Sequence, residues 1–230
     1  MKAVIMAGGV GKRLRPFTYS IPKPLLSAGG ITSIENTINI LSKYKIKEIF
    51  ILTCYKSEMF NIVKTFQEKY KVDIKIINEK KRLGTIGGLF LLKKYLRNTK
   101  FIILNGDIFF SFNINNLINF HEKKKSYITI GMHRHNFQFP YAIIKSNLEK
   151  KIKSIKEKPV IKNYINAGIY ILDNRIFNFL NGHKYIDMPD LIEKVSKYKK
   201  NIFTFDIGEK WVDLGRIEDY RIASKIISKW

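Results

Sequence analysis

Short apolar runs bounded by polar or glycine-rich segments recur through the first half of the chain, at about residues 2 to 7, 48 to 54, 72 to 77, 100 to 105 and 126 to 132. Their length and their Ile, Val and Phe content predict buried strands. Between them the period changes. Ile34, Ile38 and Leu41, then Ile62, Val63 and Phe66, then Leu89, Leu92 and Leu96, then Leu117 and Phe120 recur at the spacing of one helix face. Thr32 and Glu35 form a capping box at the first of these helices. This β-α alternation predicts an α/β fold with a mostly parallel sheet covered by helices on both faces.

The second half is less regular. Strand-like pieces at about 141 to 145, 151 to 155 and 165 to 172 precede helices expected at 174 to 181 and 188 to 199, the latter opened by Met188-Pro189-Asp190. A strand at 201 to 206 leads to Trp211-Val212-Asp213 and a closing helix from about 217. Residues 130 to 170 are expected to form a smaller lobe on the rim of one continuous domain, with no linker or internal repeat to divide it.

Two strand ends carry the candidate chemistry. The first strand runs into AGGVGKRLRPFTYSIPKPLL, in which Gly8, Gly9 and Gly11 are followed by Lys12, Arg13, Arg15 and a Lys23 held between two prolines. Glycines that allow positive φ and close approach, together with fixed cations, predict a phosphate cradle. The spacing fits neither the dinucleotide fingerprint nor the P-loop, because Leu14 stands three residues after Gly11 and Arg13 follows Lys12 where Ser or Thr is required. The second end is Asn105-Gly106-Asp107, after the apolar run from Phe101 to Leu104. Ligands of such sheets bind beyond the carboxyl ends of the strands, so these two stretches are expected to meet.

Asp107 and Asp213 are the carboxylates expected to hold a hard cation, since Mg²⁺ takes one or two carboxylates and completes its octahedron with water and substrate phosphate. An Asp after a strand also commonly caps a turn. Glu157-Lys158-Pro159 fits a site for a phosphorylated polyol and equally a solvated loop. His121, His133, His135 and His183 lack metal-ligand spacing, and no nucleophile motif is present.

Composition adds less. A net charge of +23 invites a nucleic-acid partner, but the lysines are spread through every segment and no binding motif accompanies them, so none is expected. The single cysteine, Cys54, reads as a structural thiol at a strand end. The first apolar stretch ends at Gly8 and no run approaches a membrane span, so neither a leader nor a membrane anchor is expected, and the cytoplasm is the expected compartment.

Taken in order, AGGVGKRLRPFT with PKPL, RLGTIGGL, LNGD, EKP, NAGIYIL and WVDLGRIEDY resemble the landmarks of the sugar-1-phosphate nucleotidyltransferases over nearly the whole chain. The resemblance implies a Rossmann-like sheet with a small sugar-binding lobe, the nucleotide part at about 1–125 and the sugar part at about 126–230. It implies that Gly8, Gly9, Gly11 and Arg13 hold the triphosphate, that Lys23 meets the reacting phosphates, and that Gly84 and Thr85 belong to the nucleotide loop. Asp107 and Asp213 would bind Mg²⁺, and Glu157, Lys158 and Asn166 the sugar phosphate. The implied partners are an NTP and a sugar 1-phosphate, and the implied reaction is attack of the sugar-phosphate oxygen on the α-phosphorus. Catalysis would rest on Arg13, Lys23 and Asp107.

Details of the motifs look most similar to bacterial guanylyltransferases acting on mannose, heptose or glucosamine 1-phosphate, with uridylyl, thymidylyl or cytidylyl transfer as the alternative. Glu79 is then placed to accept from the two adjacent donors of guanine, N1–H and the 2-amino group, although it also reads as a solvated loop residue. Ala142 replaces the glycine usual after Tyr near the sugar, which leaves the sugar open. A second, acetyltransferase activity is not expected, and the oligomeric state stays open, with a homodimer compatible.

Overall fold

The computed structural model describes residues 1–180 and 185–230; His183 and the end of the helix expected at 174 to 181 lie outside them. Seven strands form the central sheet: β1 (Lys2–Met6), β2 (Glu48–Thr53), β3 (Asp73–Asn78), β4 (Phe101–Asn105), β5 (Ile128–Gln138), β6 (Val160–Leu172) and β7 (Ile202–Asp206). Their spatial order is β7-β5-β6-β4-β1-β2-β3. Only β6 is reversed, running antiparallel to both β4 and β5, while the pairs β4–β1, β1–β2, β2–β3 and β7–β5 are parallel.

The strand alternation sorts the core into two layers. Ala3, Ile5, Ile49, Ile51, Ile102 and Leu104 face one side, where Ile34, Ile38 and Leu41 of helix Ser33–Lys43 and Ile114 and Leu117 of helix Ile114–Lys123 cover them. Val4, Phe50, Leu52, Phe101 and Ile103 face the other, against Leu89, Leu92, Leu96 and, from helix Met188–Lys197, Leu191 and Val195. Helices on both faces therefore follow from period-2 strands that are apolar at every position. The Thr32 cap is present, its side chain accepting the Glu35 N–H at 3.1 Å.

Several elements differ from the pattern-based expectation. Leu89, Leu92 and Leu96 sit on a 3₁₀ turn, Gly87–Leu92, followed by one α-turn, Lys93–Leu96, because Gly87 and Gly88 are poor helix formers. Asn174–Asn178 is likewise 3₁₀. The strands β5 and β6 are longer than expected, and their additional residues, His133–Gln138 and Val160–Tyr164, are mostly exposed and polar or mixed, so no continuous apolar run marks them.

Register fixes where these extensions go. Ile169 stands opposite Leu104, so the first half of β6 projects past the carboxyl end of β4, with β5 alongside it. A two-stranded hairpin, Ile143–Ser146 with Ile152–Lys156, completes this rim lobe. Another short strand unread in the sequence, Ile108–Phe110, pairs antiparallel with Trp211–Asp213. The Trp211 indole N–H donates to the Ala167 carbonyl at 2.9 Å and ties this ribbon to β6. No helix among the described residues is long and apolar enough to cross a membrane.

One buried group gives the fold a pH dependence. His121 on helix Ile114–Lys123 is fully buried, its Nδ1 2.8 Å from Thr129 Oγ1, and Nε2 has no hydrogen-bond partner among the described residues. Burial, aided by the charge of Lys100, pushes its pKa down from 6.5 to about 4. The unfolded chain therefore takes up a proton between these values that the folded chain refuses. Stability is full above pH 6.5 and declines as pH falls toward 4, with a limiting slope of about 1.4 kcal/mol per pH unit from this group. Urea midpoints measured from pH 7 down to pH 5 are expected to fall less in His121→Asn, which keeps a partner for Thr129; an unchanged slope would assign the acid sensitivity elsewhere.

Candidate functional site

The carboxyl ends of β1, β2 and β4 open onto one cavity of about 430 Å³, lined by the glycine turn, Lys12, Arg13, Lys23, Cys54, Glu79, Arg82, Gly84, Thr85, Asn105, Asp107, Tyr185, Asp187 and Gly215. The two stretches expected to meet do meet: the Gly106 N–H donates to the Met6 carbonyl at 2.9 Å.

Within the turn the three glycines have different reasons. Gly11 alone has positive φ, at +66°, and a Cβ there would stand 2.8 Å from Thr18 Cγ2. Gly8 has an ordinary φ and is small because a Cβ would lie 3.3 Å from Cys54 Cβ, whereas Gly9 has open space. The expectation that all three bend at positive φ is therefore corrected to one bend, one close approach and one exposed backbone. Arg13 lines the cavity, while Arg15 turns away and stacks over Tyr19 at 4.7 Å.

Lys23 is the buried cation, its side chain 8% exposed at the start of a 3₁₀ turn, Lys23–Leu25. Its place is set from three sides. Pro22 and Pro24 restrict the backbone. The Ser33 hydroxyl, at the first residue of its helix, is 2.7 Å from the Gly106 carbonyl and 3.3 Å from that of Pro24, joining the Lys23 loop to the Asp107 loop. The ribbon sets Asp213 opposite Ile108, and the Leu214 N–H donates to the Asp107 carbonyl at 3.0 Å, so the two aspartates are neighbours despite their separation in sequence. Lys23 Nζ then donates to Asp107 Oδ2 at 2.5 Å and to Asp213 Oδ1 at 3.3 Å. Burial and the Asp107 charge raise the Asp213 pKa, against the pull of Lys23 and Arg13.

This arrangement already holds a cation between two hard oxygen ligands. Among the described residues no three His, Cys, Asp or Glu side chains converge, so a divalent ion here would depend on water and substrate oxygens for the rest of its sphere, as Mg²⁺ commonly does.

Glu79 and the loop after it form the opposite wall. Glu79 is only 5% exposed, which removes the solvated-loop reading. Its carboxyl oxygen would lie 2.2 Å from a Cβ on Gly88, and its pKa is raised by burial against the lowering effect of a hydrogen bond from the Leu83 backbone. The loop is stapled to 185–188: Ile186 N–H donates to the Leu83 carbonyl at 2.9 Å, Ile86 N–H to the Ile186 carbonyl at 3.2 Å, Thr85 N–H to Asp187 Oδ1 at 2.7 Å, and Met188 N–H to Thr85 Oγ1 at 2.8 Å.

The residues expected at a sugar phosphate do not line this cavity. Glu157 and Lys158 sit exposed on the rim lobe, Lys158 with φ of 41°. Asn166 donates to the Tyr170 hydroxyl at 2.7 Å and accepts the Gly168 N–H at 3.0 Å. Arg82, Asn105, Tyr185 and Asp187 also line the cavity, although the sequence reading gave none of them a role. Arg82 opens RLGTIGGL and Asp187 opens an Asp-Met-Pro phrase, whereas Tyr185 carries no local motif.

Glycine geometry yields a paired test. Gly84 has φ of +83° and a Cβ there would stand 2.4 Å from the Ile186 carbonyl oxygen, so Gly84→Ala is expected to cost about 1–3 kcal/mol by parting the stapled loops. Gly9→Ala is expected to change stability by less than about 0.5 kcal/mol. Urea denaturation of both variants checks this, and equal stability losses would contradict it.

Known proteins resemble the chain in sequence and in fold. Mannose-1-phosphate guanyltransferase of Yarrowia lipolytica is 33% identical over 96% of this chain, and the chain spans 62% of that relative's length. A candidate glucose-1-phosphate thymidylyltransferase from Bacillus anthracis superposes with a TM-score of 0.81 at 22% identity, covering 100% of this chain and 96% of that one. HddC from Yersinia pseudotuberculosis, in a complex with GMP-PN, superposes with a TM-score of 0.77 at 23% identity over 98% of this chain and 99% of its own. These two likenesses establish the shared fold. The family described as nucleotidyl transferase matches residues 2–229, and the chain belongs to it.

Proposed function

We propose that this protein transfers a nucleotidyl group from a nucleoside triphosphate, with GTP preferred, to a sugar 1-phosphate, releasing pyrophosphate. The observation that carries the reading is the convergence of an open glycine turn, Arg13, Lys23 and Asp107 at one cavity, with Asp213 held by the same Lys23 ammonium. A backbone that lines the cavity at Gly8, Gly9 and Gly11 suits a polyphosphate. Two carboxylates that already share one ammonium suit Mg²⁺, which when bound there supplies the positive charge that lets two polyanions approach each other.

The chain's own groups do the rest. Gly8, Gly9, Gly11 and Arg13 hold the triphosphate, and Lys23 stabilises the charge that spreads over the α-phosphoryl group as the sugar-phosphate oxygen attacks in line and pyrophosphate departs. No protein nucleophile is needed, since positioning both substrates replaces it. The rim lobe extends past the carboxyl end of β4, which supports a role for Glu157, Lys158 and Asn166 in holding the sugar phosphate. The relative's name supports a guanine nucleotide and makes mannose 1-phosphate the first acceptor to test. A buried Glu79 on the cavity wall supports recognition of guanine, whose paired N–H donors suit a carboxylate better than the single ring N–H of uracil or thymine.

The test is pyrophosphate release with Mg²⁺ across a panel of nucleoside triphosphates and sugar 1-phosphates. Release that requires both substrates and favours GTP is expected; release with no pair would contradict the activity, and a preference for UTP or dTTP would contradict the base. Within the same assay Glu79→Gln is expected to shrink the GTP:UTP ratio of kcat/KM by about 1–3 kcal/mol, and an unchanged ratio would remove Glu79 from base recognition. Lys158→Ala and Arg13→Ala should separate the two substrates, the first raising mainly the sugar-phosphate KM and the second mainly that of GTP. Equal effects on both constants from Lys158→Ala would oppose this division.

A further inference from the structure

We infer that the Lys23 ammonium is the resident counter-ion of the Asp107–Asp213 pair, and that a divalent cation enters only by displacing it toward the glycine turn. The inference rests on reading the two aspartates as the metal site. Lys23 Nζ contacts Asp107 Oδ2 at 2.5 Å and Asp213 Oδ1 at 3.3 Å, and at 8% exposure it is the innermost of the three side chains, the aspartates being 28% and 36% exposed. A dication on the same oxygens would sit roughly 2 Å from them and hence within about 4.5 Å of the ammonium, with only the shared carboxylate oxygens between the two positive charges, which then compete for the same lone pairs. One must give way, and four methylenes on a proline-braced backbone let the ammonium move while its root stays fixed.

The route is also defined. A Cβ on Gly11 would lie 3.3 Å from Lys23 Cβ, so the lysine stem runs against the turn expected to take the phosphates. Displacement from the aspartates therefore frees the charge beside the triphosphate. Without nucleotide, Lys23 keeps the carboxylates neutralised and opposes metal; phosphates that receive the ammonium remove this competition. Metal and nucleotide should accordingly strengthen each other's binding.

Mn²⁺ titration of the full chain without nucleotide, read by electron paramagnetic resonance, tests the exchange apart from activity. Lys23→Met is expected to bind Mn²⁺ at least about tenfold more tightly than wild type, whereas Lys12→Met, the same charge change at an exposed residue of the cavity, should gain less than about twofold. In the wild-type protein, acylation of Lys23 by an amine-reactive ester, followed by mass spectrometry, should quicken several-fold when Mn²⁺ saturates the site. Equal Mn²⁺ affinity in wild type and Lys23→Met, with binding lost in Asp107→Asn, would overturn the exchange and leave the metal site standing. Mn²⁺ binding indifferent to Asp107→Asn, or absent from every variant, would overturn the metal site and the exchange together. If Lys23→Met does not fold, the acylation rate decides, and a rate unmoved by Mn²⁺ overturns the exchange.

Discussion

Two half-buried carboxylates placed side by side repel each other, and their partial burial makes that repulsion harder for solvent to relieve. The ammonium of Lys23, shared between Asp107 and Asp213, is what makes the arrangement tolerable. Much of the local architecture serves this one contact. The Ser33 hydroxyl joins the lysine loop to the aspartate loop, the Ile108–Phe110 ribbon delivers Asp213, and the Trp211 indole anchors that ribbon to β6. The first strand, the fourth strand and the last quarter of the chain thus meet at a single charge.

The sheet explains why the charge sits where it does. Parallel strands deliver their carboxyl ends, and the loops that follow them, to one side. The one reversed strand, β6, then sends its first half beyond that edge and builds the rim lobe over the same side. The wall made by the glycine turn and the stapled 83–86 and 185–188 segments therefore lies on the side past which the rim lobe extends.

Elements with strong local signals were legible in the sequence. The five early strands and the helix capped by Thr32 follow from apolar period, and the glycine turn, Lys23, Asp107 and Asp213 stood out as chemistry before any geometry was known. Features decided by tertiary pairing were not. Ile108–Phe110 is too short to declare itself, the exposed halves of β5 and β6 have no apolar alternation, and Tyr185 and Asp187 are held at the cavity by the backbone of Ile186 between them, which pairs with Leu83 and Ile86. Glycine roles were visible only in part, since identity reveals permissiveness but not whether a positive φ or a close neighbour requires it, as Gly11 and Gly8 illustrate.

The central claim is that the Lys23–Asp107–Asp213 cluster and the glycine turn together form one metal–triphosphate centre. Anomalous diffraction from crystals grown with Mn²⁺ and a non-hydrolysable GTP analogue tests it most directly. The account predicts a single strong peak on the carboxylates of Asp107 and Asp213, with the phosphates on the backbone of residues 8–11. A peak bound elsewhere on the chain, or phosphates seated away from that turn with both aspartates still clasping Lys23, would contradict it.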